Sequence, residues 1–83
     1  MNTNLLTVTV KGTKSELFKG NALSVTSINK RGKFDILPFH ANFITLIKEY
    51  VVIREQNKKE VTFPLESGII RVYEDKVNIL IGV

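Results

Sequence analysis

His40 is the single histidine of this chain, so any catalytic pair of a nucleophile and a histidine has to use it. Ser15, Ser24, Ser27 and Ser67 are the hydroxyl nucleophiles on offer. None sits in the Gly-x-Ser-x-Gly elbow that exposes a serine on a strained turn. One histidine with carboxylates can in principle ligate a metal, yet no two such residues here show a diagnostic ligand spacing. With Pro38 two positions ahead, His40 reads as a turn histidine that bonds backbone or lines a contact surface. The adjacent acids Glu74 and Asp75 fit the chemistry of a tight hairpin loop. The five glycines are scattered singly, so neither phosphate-cradling pattern can be written. The absence of cysteine removes disulfides and thiolate zinc sites. These residues point to a protein that is not an enzyme and that carries no cofactor or metal.

Charge and size narrow the setting. The 83 residues allow one domain, 1–83, and a hydrophobic fraction of 43% suffices for a core without staples. The net charge is +4, with basic clusters at Lys30-Arg31-Gly32-Lys33 and Lys58-Lys59. Nucleic-acid binding needs such patches joined to exposed aromatics or a basic groove. Here they fall on loop tips, where solvated turn residues are the plainer reading. Met1-Asn2-Thr3-Asn4 has no basic region followed by an apolar run, so no signal peptide is expected. No segment approaches the roughly 20 apolar residues of a membrane span. The expected location is cytoplasmic, free or docked.

The elements that position these residues have a period of two. Leu6, Val8 and Val10 alternate with Thr7 and Thr9, as in a half-buried strand. Gly12-Thr13-Lys14-Ser15 is a turn cluster. A short extended piece at Leu17-Phe18-Lys19 closes at Gly20, and a second β-like run covers residues 22–28. A polar turn at residues 29–32 leads to an extended piece that Pro38 ends, by removing a donor and biasing Leu37 away from helix. Residues 42–47 are compatible with the start of a short helix, but their branched and aromatic content favours strand. Residues 50–54, nearly all apolar, predict burial on both faces. Val61, Phe63 and Leu65 form another strand, which Pro64 places at an edge or a bulge. Glu66-Ser67-Gly68 predicts a turn, and Glu74-Asp75 joins two last strands over residues 70–73 and 77–81. The sum is an all-β fold, a small sandwich of two antiparallel sheets with about nine to ten short strands.

One segment is more specific. Gly32-Lys33-Phe34-Asp35-Ile36-Leu37-Pro38-Phe39-His40-Ala41 resembles the Gly-x-x-Gly-Ile-Leu-Pro-x-His-Ala signature of the ATP synthase epsilon subunit, called delta in mitochondria. Phe18-x-Gly20 resembles that family's Phe-x-Gly motif, and Ile44-Thr45-Leu46-Ile47 its apolar-Thr-x-Leu run. Ser67-Gly68-Ile69-Ile70-Arg71-Val72 is similar to its Gly-Gly-apolar-x-Val stretch, and Val77-Asn78-Ile79-Leu80 to its closing strand. The likeness covers nearly the whole chain. It departs at Asp35, where the family has glycine, at Asn42 for a frequent proline, and at Ser67 for the first of two glycines.

The resemblance implies the family's N-terminal β-sandwich, without the C-terminal helical domain. It also implies a function: a non-catalytic central-stalk subunit of a proton-translocating ATP synthase, coupling the gamma subunit to the ring of membrane subunits. That subunit is peripheral on the inner face of the cell membrane. By the same resemblance the gamma-facing residues are Gly12, His40 and Thr45, and the ring-facing residues are Asn29, Lys30, Arg31, Gly32 and Lys33. ATP binding and rotor inhibition belong to the helical domain and are not carried over. The competing expectation is a stand-alone epsilon-like sandwich that serves a different protein contact. Phe39 bears on either: exposed beside His40 it marks a docking surface, and buried it is core.

Overall fold

The computed structural model describes residues 4–82; Met1, Asn2 and Thr3, read above for a leader, and Val83 lie outside them. Six strands run in the order β1 (Leu6–Lys11), β2 (Glu16–Asn29), β3 (Gly32–Ile36), β4 (Phe43–Glu55), β5 (Glu60–Tyr73) and β6 (Lys76–Ile81). They form one sheet in the order β1-β6-β5-β4-β2-β3, and β1 also pairs with β2, which closes it. The molecule is thus a flattened barrel whose two layers are halves of a continuous sheet. All neighbours are antiparallel except β1 and β6, which run parallel from Thr7↔Lys76 to Lys11↔Leu80.

The expected all-β class holds, and the strand count is the correction. Strands read as separate are joined because a β-bulge, not a turn, stands at each expected break. In β2 the buried positions pass from Ala22 to Val25 and Ser27, a switch of parity at the register shift between Ala22 and Ser24. In β5 the half-buried Val61, Phe63 and Leu65 give way to buried Gly68, Ile70 and Val72, where the register against β4 shifts between Ile47 and Glu49. Glu49 takes φ 74 at that point. One extra residue flips which side chains face the core, so the strand bends and continues. Glu66-Ser67-Gly68 is therefore a bulge inside β5. The predicted turns at residues 12–15, 29–32 and 74–75 are turns or bends, as is the polar loop at residues 56–59.

The core lies inside the closed sheet. Leu6, Val8, Val10, Val25, Ile36, Val51, Ile53, Ile70, Val77 and Ile79 are fully buried. Two edge-to-face pairs, Phe18 with Phe63 and Phe34 with Phe43, pack against it, with centroids 6.4 and 5.9 Å apart. Residues 50–54 depart from expectation: Val51 and Ile53 are buried, whereas Tyr50 and Val52 are half-buried and Arg54 is exposed. They stand in mid-sheet between β2 and β5, but only one of their faces meets the core. Pro64 occurs where β5 pairs only with β4, since β6 reaches no further than Gly68, which matches the expected edge.

Ser27 is the one buried polar residue among those described, and its hydroxyl donates to the Tyr50 carbonyl at 2.7 Å. That bond ties β2 to β4 where their register shifts between Ser27 and Ile28. Ser27→Ala is expected to lower unfolding stability by about 1–2 kcal/mol, since a part-buried acceptor loses its donor. A denaturant midpoint that does not move would show that the carbonyl has another partner.

Candidate functional site

The candidate site residues lie on two barrel ends and one outer face. At one end, residues 37–42 carry the chain from β3 to β4. The Leu37 carbonyl accepts from the His40 N–H at 3.1 Å, closing the turn that Pro38 begins. The His40 ring packs on Phe43 with centroids 5.0 Å apart, and its Nδ1 donates to the Ala41 carbonyl at 2.7 Å. The ring's contacts are thus spent on its own loop, as the turn reading expects.

The β5–β6 turn meets this loop. Asp75 Oδ1 accepts from the Phe39 N–H at 2.7 Å, and Asn42 Oδ1 accepts from the Glu74 N–H at 2.8 Å. Asn42, a departure from the resembled pattern, therefore joins the loop to the turn. Asp35 also has a structural place. It lies in β3 with no positive φ and accepts a hydrogen bond from the Thr26 hydroxyl, so the backbone strain that an aspartate could meet in place of glycine does not arise.

The opposite end carries Gly12 and the tip of β2–β3. The Gly12 N–H donates to the Ser15 carbonyl at 2.9 Å, and Gly12 follows directly on the last β1 residue. His40 lies by the turn before β6, so the parallel β1 and β6 separate the two by about 16 Å of strand. Thr45 is half-buried on β4, and its Oγ1 accepts from Asn29 Nδ2 at 3.4 Å. The three expected gamma-facing residues thus do not form one cluster: His40 is at one end, Gly12 at the other, and Thr45 beside the basic tip.

At that tip Asn29 Oδ1 accepts from the Arg31 N–H at 2.8 Å, and Gly32 takes φ 117, a conformation that favours glycine. Lys30 and Arg31 project into solvent. Lys33 parts from them. It lines an open groove of about 640 Å³ with Thr26, Asp35, Tyr50, Val52 and Arg54 on the outer face of β3-β2-β4. The exposed Arg54–Glu60 pair at its rim, 3.1 Å apart, is screened by water and contributes little to stability.

Sequence reading missed the most conspicuous surface. Leu46 stands opposite Ile69, and Ile69 opposite Leu80, so three strands align an apolar row on the outside of the sheet. Leu46 is 71% exposed, Ile44 beside it 65% and Leu80 41%. Lys11 extends the row on β1, and Arg71, opposite Ile44, lies over the Tyr73 ring at 5.6 Å. The available signal was the doubled apolar residues: Ile69 beside Ile70, and Leu80 between Ile79 and Ile81, put apolar side chains on both faces of strands with only one face buried.

Comparison with known proteins gives one consistent result. The profile of the ATP synthase delta/epsilon chain β-sandwich domain matches residues 5–82. The ATP synthase epsilon chain of Sulfurimonas denitrificans is 36% identical over 66 residues, covering 78% of this chain and 51% of that one. The epsilon chain of Stenotrophomonas maltophilia is 32% identical over 68 residues, covering 81% and 49%. This chain therefore spans about half the length of the curated relatives it matches. Among solved structures, the mitochondrial ATP synthase of Euglena gracilis, described with its c-ring, contains a chain with TM-score 0.87, at 13% identity, over 95% of this chain and 51% of that one. A chain in the central stalk and c-ring structure from Tetrahymena thermophila gives 0.79 at 15% identity, over 94% and 63%. At such identities the two structures speak for the fold alone.

Proposed function

The chain belongs to the ATP synthase delta/epsilon family through its β-sandwich domain, and on that premise we propose that it is a non-catalytic central-stalk subunit. In this reading it couples a gamma-type rotor subunit to the membrane ring and sits at the inner face of the cell membrane through the complex. The observation that carries the reading is the exposed apolar row Leu46-Ile69-Leu80, with Ile44 beside it. A contiguous apolar patch on the solvent side of a small domain marks a protein contact. The Lys11 and Arg71 cations flanking it favour a partner surface that offers carboxylates at its rim.

The ends of the barrel suit the two sides of such a coupling. The basic tip at Lys30 and Arg31 is exposed and is held in shape by the Asn29 side chain, which suits polar loops of a ring. Within the expected ring-facing set, Asn29, Lys30, Arg31 and Gly32 form the tip, and Lys33 faces the groove.

The test is capture of the gamma subunit encoded in the same genome by the purified chain at micromolar concentration. Retention on gamma, lost at neither moderate salt nor dilution to that range, supports the reading. No capture would overturn it in favour of the stand-alone interaction module. Charge reversal at Lys30 and Arg31 is a separate prediction. It is expected to leave the thermal midpoint within about 2 °C, as surface substitutions do. In membranes carrying the assembled complex it should lower proton-driven ATP synthesis. Unchanged synthesis would remove the tip from the ring contact.

A further inference from the structure

Phe39 is the most exposed large hydrophobic residue among those described. The residue is 78% exposed, and its backbone takes φ 68, a left-handed conformation that costs a bulky side chain conformational energy. Of the five phenylalanines in the chain, Phe18, Phe34, Phe43 and Phe63 pack in edge pairs against the core, and Phe39 is the one left outside. A residue held at such a cost is held by its surroundings. Here these are the local turn that the Leu37 carbonyl and the His40 N–H close around Pro38 and Phe39, the hydrogen bond from the Phe39 N–H to Asp75 Oδ1, and the bond from the Glu74 N–H to Asn42 Oδ1. The Asp75 carbonyl in turn accepts from the Thr7 N–H at 2.9 Å, so the turn is itself tied to β1. Glu74 and Asp75 take φ 47 and 64, as a two-residue hairpin turn between β5 and β6 requires.

We propose that Phe39 is an aromatic anchor for the gamma-type subunit, and that the 74–75 turn is the clasp holding the ring out. The proposal rests on the rotor-subunit reading above. The occupant follows from continuity of surface. Ile44 and the exposed Tyr73 carry the outer apolar face to this barrel end, Tyr73 adjoins the clasp, and Leu37 beside the loop is 56% exposed. A partner covering Leu46, Ile69 and Leu80 therefore reaches Phe39 at its margin, where an apolar cleft would take the ring. Asp75 acts through Phe39 and is a positioning residue, whereas Phe39 makes the contact.

The test is gamma affinity and thermal midpoint measured together on the full chain. Phe39→Gly is the decisive variant, because glycine accepts the same backbone conformation without strain. It is expected to weaken gamma binding about 10-fold or more, as loss of an aromatic anchor does, while the midpoint does not fall. Asp75→Ala is expected to weaken binding about 3- to 10-fold, and Asp75→Asn to restore it, since the amide oxygen accepts the same N–H. Wild-type affinity in Phe39→Gly, with Leu46→Asp still disruptive, overturns the anchor and leaves the rotor-subunit reading standing. A midpoint that falls in Phe39→Gly shows the ring to be structural and also overturns it. Failure of Asp75→Asn to restore binding overturns the clasp, and failure of the wild type to bind gamma overturns proposal and reading together.

Discussion

Leu46→Asp is expected to weaken capture of a gamma-type subunit by about 100-fold or more, with the thermal midpoint nearly unchanged. The loss follows from burying a carboxylate in the middle of an apolar contact, where it has no partner and cannot keep its water. A factor of 100 corresponds to about 2.7 kcal/mol, within the range of a central interface residue. The isolated fold should not register the change, because the side chain is 71% exposed and its outward direction takes it away from the core. Lys59→Asp, in the loop after β4, is the control for added negative charge, shifting the net charge by two units where Leu46→Asp shifts it by one. Equal binding by Leu46→Asp and Lys59→Asp would remove the outer row from the interface. A large drop in midpoint for Leu46→Asp would mean that its surface supports the fold rather than a partner.

Gly68→Ala is expected to be the most damaging small substitution in the chain. A Cβ at this position would stand 2.6 Å from the Leu80 carbonyl oxygen and 3.4 Å from the Ile47 side chain. The first contact is with backbone, which cannot swing aside, so β6 must move away from β5 at the first pair of their ladder, Gly68↔Ile81. Overpacking of this kind costs about 1–3 kcal/mol. For a domain of this size each kcal/mol lowers the melting temperature by about 4–8 °C. Calorimetry checks the prediction, and a shift below about 2 °C would show that the bulge in β5 relaxes without loss. Gly32→Ala is a useful contrast, because nothing lies within 4 Å of a Cβ there and only its φ of 117 resists a side chain.

Gly68 also shows how far local reading reaches. A glycine after Glu66 and Ser67 carries the composition of a turn, and a turn is the expectation. The structure uses it for close approach of two backbones inside a continuous strand, a demand set by Leu80, twelve residues away in sequence. The expected break at Lys19-Gly20 is likewise absent, since β2 pairs on through Gly20↔Val8. Where the deciding partner is local, the reading succeeds. Pro38 ends β3, the residues of 29–32 make their turn with Asn29 accepting from Arg31, and Glu74-Asp75 makes the hairpin.

By itself the sequence determined the all-β class, most of the turns, the inward residues of β1 and β6, and the resemblance that family comparison bears out. Each of these rests on side-chain alternation or on residues adjacent in the chain. Tertiary structure alone decided that six strands close into one sheet, because bulges at residues 22–24 and 66–67 are answered by partner strands and not by their own composition. It decided that Leu46, Ile69 and Leu80 share one row, since register across three strands sets which exposed side chains are neighbours. It also set Asp75, 36 positions away in sequence, against the backbone of the exposed Phe39, a pairing that no local pattern announces.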